Sequence, residues 1–440
     1  MSNLIQEKVL LSNLGIEAFN EMQTKSFQTI QDQNEVVLLA PTGSGKTLAF
    51  LWPIISQLNP ENKQVQCLIL TPTRELALQI EQVWKKLGTG YKVNVCYGGH
   101  AMQTEIQNLT TPPALLIGTP GRIEDHLVRD SFRTQDIKLL ILDEFDKSLQ
   151  LGFHEQMATI IQRLSHLKKK VLVSATPCPD VPDFVKLKHP VTLDYIVNDQ
   201  HNHKLQLHWV RSTDSNRNKI VVQLLSTFKD ETALIFCNQR ETAESLCNYI
   251  LSHNIAATFY HGKLEQEDRE LALIRFRNGS VHFLISTDLA SRGLDIPEMK
   301  HVIHYDLPGK LDEFTHRNGR TARMYESGSV YVLASHVDHL PKYIDPNIPE
   351  FVLPTATSIP LAPQFTTVYI SGGKKDKINK VDIVGFFLQK GKLAKEDLGL
   401  IDIKDHYSFA AIKNNKVNSL LKNVYEEKMK GKKYRIQIAK

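Results

Sequence analysis

One stretch narrows the possible folds more than any other. Residues 40–47 read Ala-Pro-Thr-Gly-Ser-Gly-Lys-Thr, behind the apolar run Val36-Val37-Leu38-Leu39 and ahead of an apolar helical pattern that begins near Lys46. A strand that enters a Gly-bearing turn and then a helix aims backbone N–H groups and a helix N-terminus at one point, an anion site suited to phosphates. Downstream, Leu139-Leu140-Ile141-Leu142 carries Asp143-Glu144-Phe145-Asp146 at its end. Together these are the two halves of a nucleoside triphosphate site. Lys46 is expected on the β- and γ-phosphates, Thr47 and Asp143 on Mg²⁺, and Glu144 beside the attacking water. Ala40, Thr42, Gly43, Ser44 and Gly45 complete the phosphate loop, with Ala40 where the strict pattern has its first glycine. ATP and Mg²⁺ are the expected cofactors.

A chain of 440 residues is long enough for about three domains. Its five cysteines (Cys67, Cys96, Cys178, Cys237 and Cys247) show no C-x-x-C spacing, which argues against a disulfide framework and against a structural metal site. A reducing compartment fits best. The first residues lack a basic segment followed by an apolar core, and no run approaches the ~18 apolar residues of a membrane span. The expectation is a cytoplasmic protein without a membrane partner. Charge is uneven: residues 371–440 hold 17 Lys and Arg against 8 Asp and Glu, a net +9 that leaves −4 for the first 370 residues of a chain totalling +5. A basic tail suits an anionic partner such as nucleic acid, or simply a solvated lysine-rich surface.

Short apolar runs recur behind the phosphate loop at Cys67–Leu70, Leu115–Gly118, Leu139–Leu142 and Val171–Val173. Four-residue strands apolar on both faces predict a parallel sheet covered by helices. The polar stretch from Val197 to Lys204 breaks the series, which restarts at Ala233–Phe236, His282–Ile285 and His301–His304. Domains are therefore expected at 1–203 and 204–345. Five prolines between Pro346 and Pro363 predict an extended linker over 346–364. A small domain over 365–440 follows, with strands at Thr366–Ile370, Leu400–Ile403, Tyr407–Ile412 and Tyr434–Ile438. Helices are expected from Val381 and from Ser419 to Met429.

Read in order, the chain also carries Pro72-Thr73-Arg74-Glu75-Leu76-Ala77, Gly98-Gly99, Thr119-Pro120-Gly121-Arg122, Ser174-Ala175-Thr176, Ile235-Phe236-Cys237-Asn238, Ser286 to Asp295, and His316-Arg317-Asn318-Gly319-Arg320-Thr321-Ala322-Arg323. Each is weak alone; the ordered set resembles the DEAD-box RNA helicases over roughly residues 12–335. The resemblance implies two RecA-like parallel-sheet domains that close around nucleotide and RNA. It makes Arg320 and Arg323 arginine fingers, Asp295 a ribose contact and Gln23 the reader of the adenine edge. Ser174, Thr176 and Asp146 would couple nucleotide state to closure. RNA contacts would come from Pro72, Thr73, Arg74, Gly98, Gly99, Thr119, Gly121 and Arg122 in the first domain. In the second they would come from Gln266, Arg269, Thr287 and Asp288. Such contacts position a strand without reading bases. Three departures stand out. Phe145 replaces the family's Ala and could alter coupling, Gln23 lacks the usual Thr-Pro before it, and Asn318 replaces an apolar residue.

The tail run Tyr369-Ile370-Ser371-Gly372-Gly373-Lys374-Lys375-Asp376-Lys377 resembles the C-terminal domain of the DbpA subgroup. That implies an RRM-like α+β fold and a 23S-type rRNA hairpin of the large subunit or its assembly intermediates as partner. Lys374, Lys375 and Lys377 are the expected phosphate contacts. Tyr369, Tyr407 and Phe409 are stacking aromatics on one reading and core on the other. The leading expectation is a monomeric RNA-dependent ATPase and helicase of ribosome biogenesis. Beside it stand an ATP-gated RNA clamp, kept open by Phe145, and a DNA-directed motor on the same scaffold.

Overall fold

The computed structural model describes residues 2–41, 43–99, 101–176, 181–196, 205–288, 299–321, 328–354 and 360–439, the side chains of residues 2–6 excepted. The chain divides near residue 202 into two compact units. The first unit is built on seven strands: β1 (Glu35–Leu39), β2 (Cys67–Leu70), β3 (Val93–Cys96), β4 (Leu115–Gly118), β5 (Leu139–Leu142), β6 (Lys169–Ser174) and β7 (Val191–Asp194). They form one parallel sheet in the order β3-β4-β2-β5-β6-β1-β7. Strands β2, β4 and β5 are buried at every residue, as strands covered on both faces must be. Helix Lys46–Gln57 packs on one face with Phe50, Leu51 and Ile54 buried; Met157 and Ile160 of helix His154–Arg163 fill the other.

The second unit opens with six parallel strands: β8 (Leu205–Arg211), β9 (Ala233–Phe236), β10 (Ala257–Tyr260), β11 (Phe283–Ser286), β12 (His301–His304) and β13 (Gly328–Ala334), ordered β10-β11-β9-β12-β13-β8. Four of the strands beyond the sequence expectation, β3, β7, β8 and β10, are the outermost of their sheets. Strands β3, β7 and β8 are partly solvated and mix Asn94, Thr192 or Gln206 with apolar residues, while in β10 the buried Thr258 interrupts the run, so none leaves a continuous apolar stretch. The interior strand β13 is a further addition. The segment expected to be linker begins by packing against β8: Trp209 exchanges backbone hydrogen bonds with Pro349 and Phe351, and Arg211 pairs with Glu350 at 3.1 Å. Residues 355–359 of that segment lie outside the described residues.

The same unit ends in a four-stranded antiparallel sheet, ordered β15-β16-β14-β17 from β14 (Phe365–Ile370), β15 (Leu398–Ile403), β16 (Ser408–Lys413) and β17 (Ile436–Ile438). Helices Lys380–Gln389 and Asn414–Val424 connect β14 to β15 and β16 to β17. This is the βαββαβ path of an RRM-like domain. The second helix lies five residues earlier than expected. Its buried stripe is Val417, Leu420 and Val424, and the chain then turns at Lys430 and Gly431, both at positive φ, to bury Met429 outside the helix. Among the described residues no helix is long and apolar enough to cross a membrane.

Candidate nucleotide and RNA-binding site

The phosphate loop leaves β1 through Ala40, whose N–H donates to the Ser174 carbonyl at the end of β6. Gly43 and Gly45 both take positive φ, at 86° and 88°. At Gly45 the positive φ disfavours a side chain, and a Cβ there would also lie 2.5 Å from Gln23 Nε2 and push that amide aside. Gln23 belongs to helix Glu21–Asp32 and forms a capping box with Asn20: Gln23 N–H donates to Asn20 Oδ1 at 2.8 Å and Asn20 N–H to Gln23 Oε1 at 3.0 Å. The remaining amide hydrogens reach the loop, Gln23 Nε2 to Gly45 O at 3.3 Å and Asn20 Nδ2 to Ser44 O at 3.1 Å. The sequence-predicted adenine reader is thereby tied to the phosphate loop, by its own amide and by Asn20 beside it. Lys46 Nζ donates to the carbonyls of Ala40 and Pro41 at 2.7 and 2.8 Å. Thr47 follows it in the first turn of the helix. Thr42 lies outside the described residues.

Asp143, Glu144 and Asp146 are all buried at the end of β5. Glu144 has φ 46°, a left-handed conformation that costs a non-glycine residue about 1–2 kcal/mol and turns the chain sharply into helix Phe145–Gln150. Its N–H donates to Asp143 Oδ1 at 3.0 Å. Burial, and then the neighbouring Glu144 charge, push the Asp143 carboxyl up to about 7 against the pull of Lys46. A buried acidic pair beside one hydroxyl-bearing helix start is a donor set that fits a hard divalent cation. Phe145 points away from this chemistry, into the apolar cluster with Leu142, Met157, Ile160 and Leu172. Thr176 reaches Asp146 at 2.7 Å, and Ser174 Oγ donates to Thr176 O at 2.6 Å, so the two motifs are joined.

The first-domain residues expected at RNA also converge. Thr73 caps helix Arg74–Leu87, Thr119 precedes helix Pro120–Val128, and Pro72 is buried between β2 and the first of these helices. Arg74 lies 4.4 Å over the ring of Tyr97, and Arg122 Nε donates to Tyr97 O at 3.0 Å. A Cβ on Gly98 or Gly121 would meet, among the described residues beyond the adjoining chain, no atom within 4 Å. The protein itself does not need these glycines for space, which fits a backbone kept bare for a ligand. Gly99 adds a positive φ of 84°.

Within the second unit, Gln266 and Arg269 stand on helix Gln266–Arg277. Thr287 follows β11, and Asp288, expected at RNA, is engaged by Arg317 through 2.6 and 3.0 Å bonds. Arg317 is fully buried and also donates to Asp306 O and Asn238 Oδ1, at 2.7 and 2.8 Å. Sequence reasoning gave Arg317 no role; its place inside the His316–Arg323 motif was the available signal. The unusual Asn318 accepts from His304 Nε2 at 2.8 Å, and burial pushes that imidazole down to about 3. Arg320 is buried just beyond the helix end. Arg323 and Asp295 lie outside the described residues.

In the tail, Lys374, Lys375 and Lys377 are all exposed on a turn that Gly373 makes possible, since a Cβ there would lie 2.4 Å from Lys404 O. Lys430 and Lys432 join them through Lys377 O and Asp376, at 2.8 and 2.7 Å. Distance in sequence hides those two lysines. Of the aromatics, Phe409 is core, and Tyr369 and Tyr407 are half-buried against it. Phe409 packs on Ile274, Tyr407 OH donates to Glu270 at 3.3 Å, Thr367 bonds Ser280 at 2.8 Å, and Arg277 pairs with Asp402 at 3.0 Å. The sheet face is thus seated on helix Gln266–Arg277, leaving a cleft of about 590 Å³ lined by Glu267, Asp268, Tyr369, Tyr407 and Arg435.

Three family models match the chain: the DEAD/DEAH box helicase over residues 20–184, the helicase conserved C-terminal domain over 216–325 and the DbpA RNA binding domain over 367–438. Eukaryotic initiation factor 4A of Drosophila melanogaster is 34% identical over 71% of this chain and 79% of its own. The ATP-dependent RNA helicase DbpA is 27% identical in Bacillus subtilis and 28% in Escherichia coli, each alignment covering 98% of this chain and 96% of the relative. Among solved structures, Dbp5 of S. cerevisiae bound to RNA and ADP BeF3 superposes with a TM-score of 0.67 at 25% identity, over 76% of this chain and 87% of that one.

Proposed function

The chain belongs to the DEAD-box ATP-dependent RNA helicases, and from that premise we propose that it opens short RNA duplexes during assembly of the bacterial large ribosomal subunit. RNA-dependent ATP hydrolysis is its activity; the rRNA target is the finer reading, a 23S-type hairpin gripped by the C-terminal domain. The observation that carries it is the exposed Lys374, Lys375 and Lys377 turn on a domain of DbpA type. DbpA relatives that run the length of the chain support the same reading. On it, 1–203 binds ATP, 204–345 is the second helicase domain, 346–364 links and 365–440 selects the RNA. The protein acts as a cytoplasmic monomer.

Thr47 and Asp143 would hold Mg²⁺, which when bound offsets phosphate charge. Lys46 neutralises the terminal phosphates from the loop side. Glu144, fixed by its backbone turn, orients and polarises the attacking water. Arg320 and Arg323 act as fingers from the second domain, an effect worth on the order of 10³–10⁵ in rate in this chemistry. Gln23 and Asp295 select adenine and ribose, and Asp146, Thr176 and Ser174 pass nucleotide state to the RNA side. Pro72, Thr73, Arg74, Gly98, Gly99, Thr119, Gly121 and Arg122, with Gln266, Arg269, Thr287 and Asp288, take the RNA backbone.

Phe145 faces the apolar core, so no observation favours a clamp without unwinding. A strand-displacement assay on a short tailed RNA duplex tests this directly. Release of the short strand with ATP is expected. A duplex left intact despite normal ATP turnover would leave only the clamp.

A further inference from the structure

Beneath the RNA-facing motifs of the first domain lies a carboxylate that no motif includes. Glu105, on helix Met102–Leu109, is 2% exposed. Its Oε1 accepts from the Tyr97 backbone N–H at 3.2 Å, its Oε2 lies 2.8 Å from His126 Nε2, and Arg122 Nε stands 3.5 Å away. Arg122 closes the ring by donating to Tyr97 O, and Arg74 stacks on the Tyr97 side chain. Tyr97 is the residue just before Gly98-Gly99. One buried carboxylate and one ring therefore hold three chain segments that are far apart in sequence: the start of helix Arg74–Leu87, the Gly98-Gly99 turn and the start of helix Pro120–Val128.

We propose that Glu105 is a positioning residue for RNA binding, with Tyr97 as the platform through which it acts. A guanidinium held by a carboxylate and a carbonyl has lost its freedom before RNA arrives, so less ordering is charged against binding. Taking a carboxylate out of water is costly unless several donors surround it, and here a backbone N–H, an imidazole and a guanidinium do. Cys96 Sγ also falls in this cluster, within 4.8 Å of the Glu105 and His126 ligand-type atoms. Arg122 already places positive charge on the carboxylate, and burial pushes the Cys96 thiol up, away from the thiolate a soft metal needs. The cluster is better suited to organising Arg122 than to holding an ion.

The inference rests on the reading of Arg74, Gly98 and Arg122 as RNA contacts, and the experiment separates the two. In the full chain, RNA-stimulated ATP turnover is measured for Glu105→Ala, Glu105→Gln, Tyr97→Leu and Arg122→Ala, giving KM for single-stranded RNA, KM for ATP and kcat at saturating RNA. Glu105→Ala is expected to raise the RNA KM about tenfold while the ATP KM and kcat stay within about twofold. Glu105→Gln keeps an acceptor for Tyr97 N–H but no charge for Arg122, and should recover only part of the loss. Tyr97→Leu keeps both backbone bonds and removes only the ring under Arg74, so it tests the platform separately and should raise the RNA KM as well. An unchanged RNA KM in Glu105→Ala and Tyr97→Leu with a raised one in Arg122→Ala overturns the positioning role alone. An unchanged RNA KM in Arg122→Ala overturns the RNA-contact reading beneath it. Parallel loss of ATP and RNA affinity without rescue by Gln reduces Glu105 to a fold residue and also overturns the inference.

Discussion

Thr176 donates its hydroxyl hydrogen to Asp146 Oδ2 across 2.7 Å, with both side chains buried. One residue lies just past β6 and the other in the helix that follows β5, so this bond joins the acidic motif to the Ser-Ala-Thr turn beside the phosphate loop. Thr176→Val keeps the shape and removes the donor to a carboxylate, a loss of about 1–3 kcal/mol. The expected phenotype is ATP turnover retained within about tenfold and strand displacement reduced far more, read by running both assays on one preparation.

The raised Asp143 carboxyl sets a pH dependence whose sign is fixed. Its ordinary value is 3.8 and its folded value about 7. Folding therefore favours the protonated form: the contribution is full below the ordinary value and lost as pH rises toward the folded one, at up to about 1.4 kcal/mol per pH unit. Asp143→Asn removes the titration. Thermal unfolding without nucleotide should show the variant more stable than wild type at about pH 8, with the gap narrowing toward pH 5. A gap that widens toward acid would contradict the burial argument. The variant should also lose ATP turnover.

Gly45 is constrained by conformation and by Gln23 at once. Gly45→Ala must place a Cβ at φ 88° and displace the Gln23 amide, which costs about 1–2 kcal/mol from the backbone alone. Nucleotide affinity, measured by titration with a fluorescent ATP analogue, should fall more steeply than fold stability does.

These sites show how far residues alone lead. The phosphate loop, Asp143, Glu144 and the buried strands β2, β4 and β5 were legible because short, local patterns encode them. The outermost strands β3, β7, β8 and β10 were hidden by half-polar composition. Arg317, Glu105 and the Lys430–Lys432 group were hidden for another reason: their roles come from partners well separated in the chain, such as Asp288, His126 and Asp376. The tail aromatics could not be assigned from sequence because their partner, helix Gln266–Arg277, belongs to the preceding domain.

That seating gives its own prediction. Ile274 is buried against Phe409 and Ala439, with Arg277–Asp402 and Ser280–Thr367 beside it. Ile274→Asp puts an unpaired charge into the seam, a change of several kcal/mol when nothing neutralises it. Limited proteolysis should then cut between the second helicase domain and the tail faster than in wild type. Stimulation of ATP turnover by generic single-stranded RNA should survive.

The most direct test of the rRNA assignment compares ATP turnover driven by a bacterial large-subunit rRNA hairpin fragment with turnover driven by generic single-stranded RNA. It uses the full chain and its Lys374→Glu, Lys375→Glu, Lys377→Glu triple variant. The account predicts half-maximal stimulation by the hairpin fragment at a concentration at least about tenfold lower than by generic RNA, with the triple variant erasing that advantage and leaving the generic response intact. Equal stimulation by both RNAs, or an advantage untouched by the triple variant, would contradict it and leave a generic RNA helicase.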